Sequence, residues 1–144
     1  MARALEVIWD EFEAAFIIGH PEARYFFNVM TGEVLYLSHM DEERTRERVQ
    51  TKVASDDWAP IPRASTTEGM SEIQTFIDTE TDESFQAELT AALSDPIPFR
   101  AFMMALVGKA DAKKRWSDIR EDGIATRMHA FCSTHDITIN DERF

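Results

Sequence analysis

The sequence predicts an α+β fold, with a small antiparallel sheet (a hairpin plus one or two short strands) packed on about five helices in a single domain, 1–144. Three observations carry that prediction. Aromatic and β-branched residues crowd two short runs around Met30-Thr31-Gly32, which is a hairpin signal. Elsewhere apolar residues recur at steps of three and four, the period of one helix face. No repeat, low-complexity tract or linker divides the chain. Helices laid on one face of a sheet bury such pieces together, and a chain of this size buries about 70% of the surface it exposes unfolded.

The elements follow in order. Leu5, Ile8, Trp9, Phe12, Ala15 and Phe16 predict an amphipathic helix over Ala4 to Ile18, ended by Gly19 with Pro21 beyond. Arg24 to Val29 and Glu33 to Ser38 form the hairpin, with Gly32 free to take the positive φ of a tight turn. Period-two alternation puts Tyr25, Phe27 and Val29 on one face, and Val34 and Tyr36 on one face of the partner strand. Asp41-Glu42-Glu43 ahead of Arg44, Arg46, Arg48 and Lys52 complements a helix dipole, but with only Val49 and Val53 apolar that helix is largely exposed. Trp58-Ala59-Pro60-Ile61-Pro62 lacks two backbone donors and reads as an edge strand or tether.

Thr66 or Thr67 caps a helix carrying Met70, Ile73, Phe76 and Ile77. Thr81 or Asp82 caps the next, with Phe85, Leu89, Ala92 and Leu93 inward and Pro96 and Pro98 as its stop. A third runs from Phe99 to Val107 and ends at Gly108, with Met103 and Met104 beside Phe99 and Phe102 assigned to the core over the alternative of an adaptable binding surface. The fourth, Ala110 to about Ser133, has Gly123 as a weak point or bend, and Asp136 to Asn140 is extended.

Composition bounds function. The 44% hydrophobic and 29% charged fractions are those of a globular protein. A single cysteine, Cys132, and the absence of a legible leader give a cytoplasmic expectation, and no apolar run approaches the roughly 20 residues of a membrane helix. Net charge −12 disfavours nucleic acid as a partner. The charge is unevenly placed. Thr66 to Ile97 holds eight acidic residues and no basic one, whereas Pro98 to Arg127 holds seven basic and four acidic, so net −8 abuts net +3.

Trp9 and Phe16, Thr31-Gly32-Glu33-Val34, Ile61-Pro62, Met70 with Phe76-Ile77, Phe99-Arg100-Ala101-Phe102 and Trp116 occur in an order that resembles the bacterial uncharacterised protein family 0158. The likeness spans roughly Val7 to Ile137. It implies a small soluble bacterial domain and carries over no catalytic residue. The chain departs from the family pattern around Phe99, where Ala101, Met103 and Met104 stand in place of a more basic run.

No catalytic, metal or cofactor motif emerges. His129, Cys132 and His135, spaced by three, spread over about 120° of a helix and do not converge on one ion. The five glycines never cluster into a phosphate loop, and adjacent carboxylates such as Asp82-Glu83 point apart. The expectation is therefore a non-enzymatic protein-interaction or regulatory module. Its acidic helices, through Glu68, Glu72, Glu80, Asp82 and Glu83, meet a basic protein partner or a second copy. A rival reading puts a small-molecule pocket, or a minor enzyme, among Tyr25, Phe27, Tyr36, Arg100 and Trp116, with Arg100 clamping an anion unless it pairs with Asp95 or Glu88. Acidic mimicry of nucleic acid is the third.

Overall fold

Arg3–Leu5 forms β1 and Trp9–Ala14 forms α1, so the first helix is shorter than its periodicity predicts. The physical reason lies at the other end of the chain. β1 pairs in parallel with a strand at residues 137–139, Arg3 opposite Ile137 and Leu5 opposite Ile139, and the Asn140 N–H donates to the Leu5 carbonyl at 2.8 Å. Those backbone groups are committed to the pair, and Leu5 is buried by it. Ile8, assigned above to the helix's apolar face, sits at the N-cap position and is 66% exposed. The computed structural model describes residues 2–17, 23–38, 40–62 and 66–144, Thr66 by its backbone alone. Ile18, Gly19 and Pro21, proposed as the end of the first helix, lie outside them.

β2 (Arg24–Asn28) and β3 (Val34–Leu37) make the expected hairpin, with Tyr25 opposite Tyr36 and Phe27 opposite Val34. Asn28 builds its turn. Its Oδ1 accepts the N–H groups of Met30 and Thr31 at 2.8 and 3.0 Å, and its carbonyl accepts that of Gly32 at 2.8 Å. Gly32 has φ +83°, and a Cβ there would overlap the Glu6 carbonyl oxygen. Both facts demand glycine. α2 (Glu43–Lys52) buries no residue, as its composition predicts. β4 (Trp58–Ile61) pairs antiparallel with β2 to give the order β3-β2-β4, so Pro60 sits on an edge strand, where a missing donor is tolerated.

α3 (Thr66–Thr79) starts at Thr66, so Thr67 is inside the helix rather than capping it. Asp82 caps α4 (Glu83–Ala92), its Oδ1 accepting the N–H groups of Ser84 and Phe85 at 3.0 and 3.2 Å. α5 (Pro98–Ala105) begins on its proline instead of being preceded by it, because a first-turn residue needs no donor. Gly108, at φ +78°, separates it from α6 (Ala110–Thr134), which runs unbroken through Gly123. β5 (Ile137–Ile139) is the partner of β1. The fold is α+β: six helices, a three-stranded antiparallel sheet and a parallel pair among the described residues.

Contacts gather into two compact units, Met1–Ser65 with Ile124–Phe144, and Thr66–Gly123. The first has a sheet-and-helix core in which Phe12, Phe16, Phe27 and Phe131 meet at ring separations of 5.2 to 5.7 Å. Leu5, Ile61, Met128, Ile137 and Ile139 close it. The second is all-helical, built on Phe76, Phe102 and Trp116 in edge-to-face contact, with Ile73, Leu89 and Leu106 fully buried around them. Each buried aromatic or branched side chain of this kind contributes about 1.5–3 kcal/mol.

Candidate interaction surface

The fate of each charge in the second unit decides what that unit can meet. Glu80 follows α3 and turns inward. Its side chain is only 7% exposed, its Oε2 accepts from the Arg115 guanidinium at 2.6 Å, and its Oε1 accepts the Asp82 N–H at 2.9 Å. The Asp82 backbone N–H and then the Arg115 side chain hold the Glu80 carboxyl below the usual carboxylate range. Asp82 is engaged in capping α4, Asp78 accepts from Gln74 at 2.9 Å, and Asp95 accepts the Ile97 N–H at 2.9 Å. Two of the five acids singled out in the sequence, Glu80 and Asp82, are thus fastened into the fold. Glu68 and Glu72 lie on α3 one turn apart and have interactions of their own. Glu83 and Glu88 remain exposed on α4, with no ion pair or side-chain hydrogen bond among the described residues.

Three cations of the basic half are engaged within the second unit. Lys109 lies over the Phe85 ring at 4.4 Å, Arg115 over Phe76 at 5.1 Å as well as on Glu80, and Lys114 pairs locally with Asp118 at 3.2 Å. Arg127, in the first unit, donates to the Phe16 carbonyl at 2.7 Å and closes the end of α1. Lys109 and Arg115 thus face α4 and the residue that follows α3, and Lys114 its own helix, which leaves Glu83 and Glu88 without an ion pair among the described residues.

An open recess of about 450 Å³ lies between Glu80, Asp82, Phe85, Lys109 and Arg115. Of its charged walls, Glu80 and Arg115 are bonded to each other, Asp82 caps α4 and Lys109 lies over Phe85.

The residues of the proposed ligand pocket fall into different surroundings. Tyr25 and Tyr36 are brought together on the sheet with rings 4.9 Å apart, and burial, then the neighbouring Tyr36, raises the Tyr25 phenol above its usual range. Phe27 is fully buried in the first core. Trp116 and Arg100 belong to the other unit. Trp116 is 5% exposed, has Phe76 and Phe102 against its ring, and its indole N–H finds no acceptor among the described residues. Arg100 is exposed on α5, with no ion pair to Asp95 or Glu88 among the described residues.

The surface that sequence reasoning assigned wrongly is on α5. Phe102 and Leu106 are buried, but Ile97, Phe99, Met104 and Val107 are 49%, 44%, 67% and 69% exposed. Ile97, Arg100, Met104 and Val107 follow one another at steps of three, four and three, so they form one outward stripe. The core assignment therefore holds for Phe102, in part for Met103, and fails for Phe99 and Met104. Arg100 was the available signal, since an unpaired guanidinium in the middle of an apolar row marks the side that faces water.

At the C-terminal end, His129 stacks on Phe144 at 4.0 Å and His135 tilts against Phe131 at 4.6 Å. Cys132 is buried between helix and strands, and burial pushes its thiol up to about 11. A protonated, enclosed thiol is a packing group and a poor nucleophile.

No protein-family model matches the chain, and no curated protein or solved structure matches it either. The resemblance to family 0158 brings no residue assignment to this surface. The described helices include none long and apolar enough to cross a membrane.

Proposed function

We propose that the chain is a non-enzymatic protein-interaction module whose acidic helices, α3 and α4, meet a basic protein partner. One observation carries the reading: within a 32-residue stretch devoid of Lys and Arg, Glu83 and Glu88 stay exposed and without an ion pair among the described residues, while Arg115 of α6 is held by Glu80 and Lys109 lies over Phe85. An uncompensated acidic face of this type raises association rate and selects partner charge. Each exposed ion pair it forms contributes about 0–1 kcal/mol, so the charges orient the complex and apolar contacts hold it. Glu80 and Asp82 support the face from beneath by fixing the α3–α4 junction.

The test is affinity capture from lysate with the wild type and a Glu83→Gln/Glu88→Lys double variant, each washed at low salt and at about 0.5 M salt. Basic proteins retained by the wild type, released by salt and missing from the variant are the expected result. Equal retention by both chains contradicts the proposal, provided circular dichroism shows the variant folded.

A further inference from the structure

α2 supplies no side chain to either core: none of its ten residues is buried, and all but Val49 are exposed. Its last residue is tied down, Lys52 pairing with Glu33 at 3.0 Å and lying over the Trp58 ring at 5.5 Å. Arg44, Arg46 and Arg48 are different. They have no ion pair or side-chain hydrogen bond among the described residues, whereas Arg115, Arg127 and Arg143 are all bonded. With these three and Lys52 against Glu43 and Glu47, α2 also has the largest basic excess of the six helices. We propose that α2 of one copy of this chain docks on α4 of a second copy. This rests on the reading of the acidic helices above and names their partner.

The two helices match in charge and in spacing. Arg44 and Arg48 lie one turn apart, on the side away from the half-buried Val49 and Val53. Glu83 and Glu88 lie to either side of the exposed face of α4, away from the buried Phe85 and Leu89, and α4 holds no cation. At a rise of about 1.5 Å per residue the arginines are about 6 Å apart along their axis and the glutamates about 7.5 Å, so long guanidinium arms close two pairs at once. Glu43 and Glu47 form a separate row beside the arginines and confine the contact to one side of α2. Both copies carry net −12 and repel each other at long range. At about 0.15 M salt the Debye length is about 8 Å, which screens that repulsion and leaves the short-range pairs in control.

Exposed ion pairs are individually weak, so the contact is transient and dissociates on the order of 100 μM. Sedimentation of the full chain from about 10 μM to about 1 mM, at about 0.15 M salt, spans that range. The expected result is reversible self-association, weakened about tenfold by Arg44→Glu/Arg48→Glu and as much by Glu83→Lys/Glu88→Lys. The second variant lowers the net negative charge, so relief of repulsion alone predicts tighter association where the proposed contact predicts looser. Mixing the two variants restores association, because the intact α4 of one meets the intact α2 of the other. If circular dichroism shows a reversed variant unfolded, Arg44→Gln/Arg48→Gln and Glu83→Gln/Glu88→Gln carry the same test. A wild type that stays monomeric, a self-association indifferent to both variants, or a mixture no tighter than its components overturns the proposal. In that event, lysate capture that still separates wild type from Glu83→Gln/Glu88→Lys leaves the acidic helices with a different basic partner, and equal capture removes both readings.

Discussion

In the first unit the exposed large apolar side chains are scattered: Ile8 before α1, Met30 in the hairpin turn, Tyr36 on β3 and Met40 ahead of α2. In the second unit the corresponding residues, Ile97, Phe99, Met104 and Val107, all lie on or beside a single helix. Isolated apolar side chains are ordinary on any protein surface, whereas a contiguous set marks a face that something covers. Both units also carry charged pairs, and in the first Lys52 on Glu33 is a half-exposed surface contact. The second has a nearly enclosed carboxylate at Glu80 that fixes its helix junction. Among the described residues, the second unit thus gathers its exposed large apolar side chains on and beside one helix, and the first does not.

Perturbations that distinguish the two sides of α5 test this contrast most severely. Phe102→Ala removes a fully buried ring from the second core and should cost about 3–5 kcal/mol in a urea titration. In the first unit, Gly32→Ala forces a Cβ against the Glu6 carbonyl in a left-handed conformation, and the expected loss is about 1–3 kcal/mol. Cys132 provides a second readout for that variant. Its thiol, raised to about 11 by burial, should resist a thiol reagent at neutral pH in the wild type and react faster in Gly32→Ala.

Glu80→Gln should cost about 1 kcal/mol, since Arg115 is 40% exposed and water screens the pair. Its pH dependence has a definite sign. The folded carboxyl titrates below its ordinary value of 4.5, so its contribution is fully present above that pH and is lost as pH falls through the folded value. The stability difference between wild type and Glu80→Gln should therefore be flat at neutral pH and narrow in acid. Met104→Ala, on the outward side of the same helix as Phe102, should change stability by no more than about 0.5 kcal/mol. A large loss there would mean that α5 has no free face.

Much of the fold was legible because local chemistry determined it. Alternation fixed the hairpin, Asp82 and Gly108 marked helix ends, and the period of Ile73, Phe76 and Ile77 named their buried face. The misses share a cause: distant residues decided them. Arg3–Leu5 matched a helical period, yet its pairing partner lies more than 130 residues along the chain. Met104 and Phe102 are equally apolar, and only the helices packed on one side of α5 decide which is covered. Glu80 and Glu83 read alike as surface acids until Arg115, 35 positions beyond Glu80, selects one of them. Period reports that a helix has two faces and says nothing of how many of them are covered.

The most direct measurement of the contrast between the units is amide hydrogen exchange on the full chain with and without a captured basic partner. Protection gained on partner addition in the amides of α3 and α4, with the β2–β3 hairpin unchanged, is the predicted result. Protection that appears instead on the sheet of the first unit, or nowhere in residues 66–107, would contradict the account.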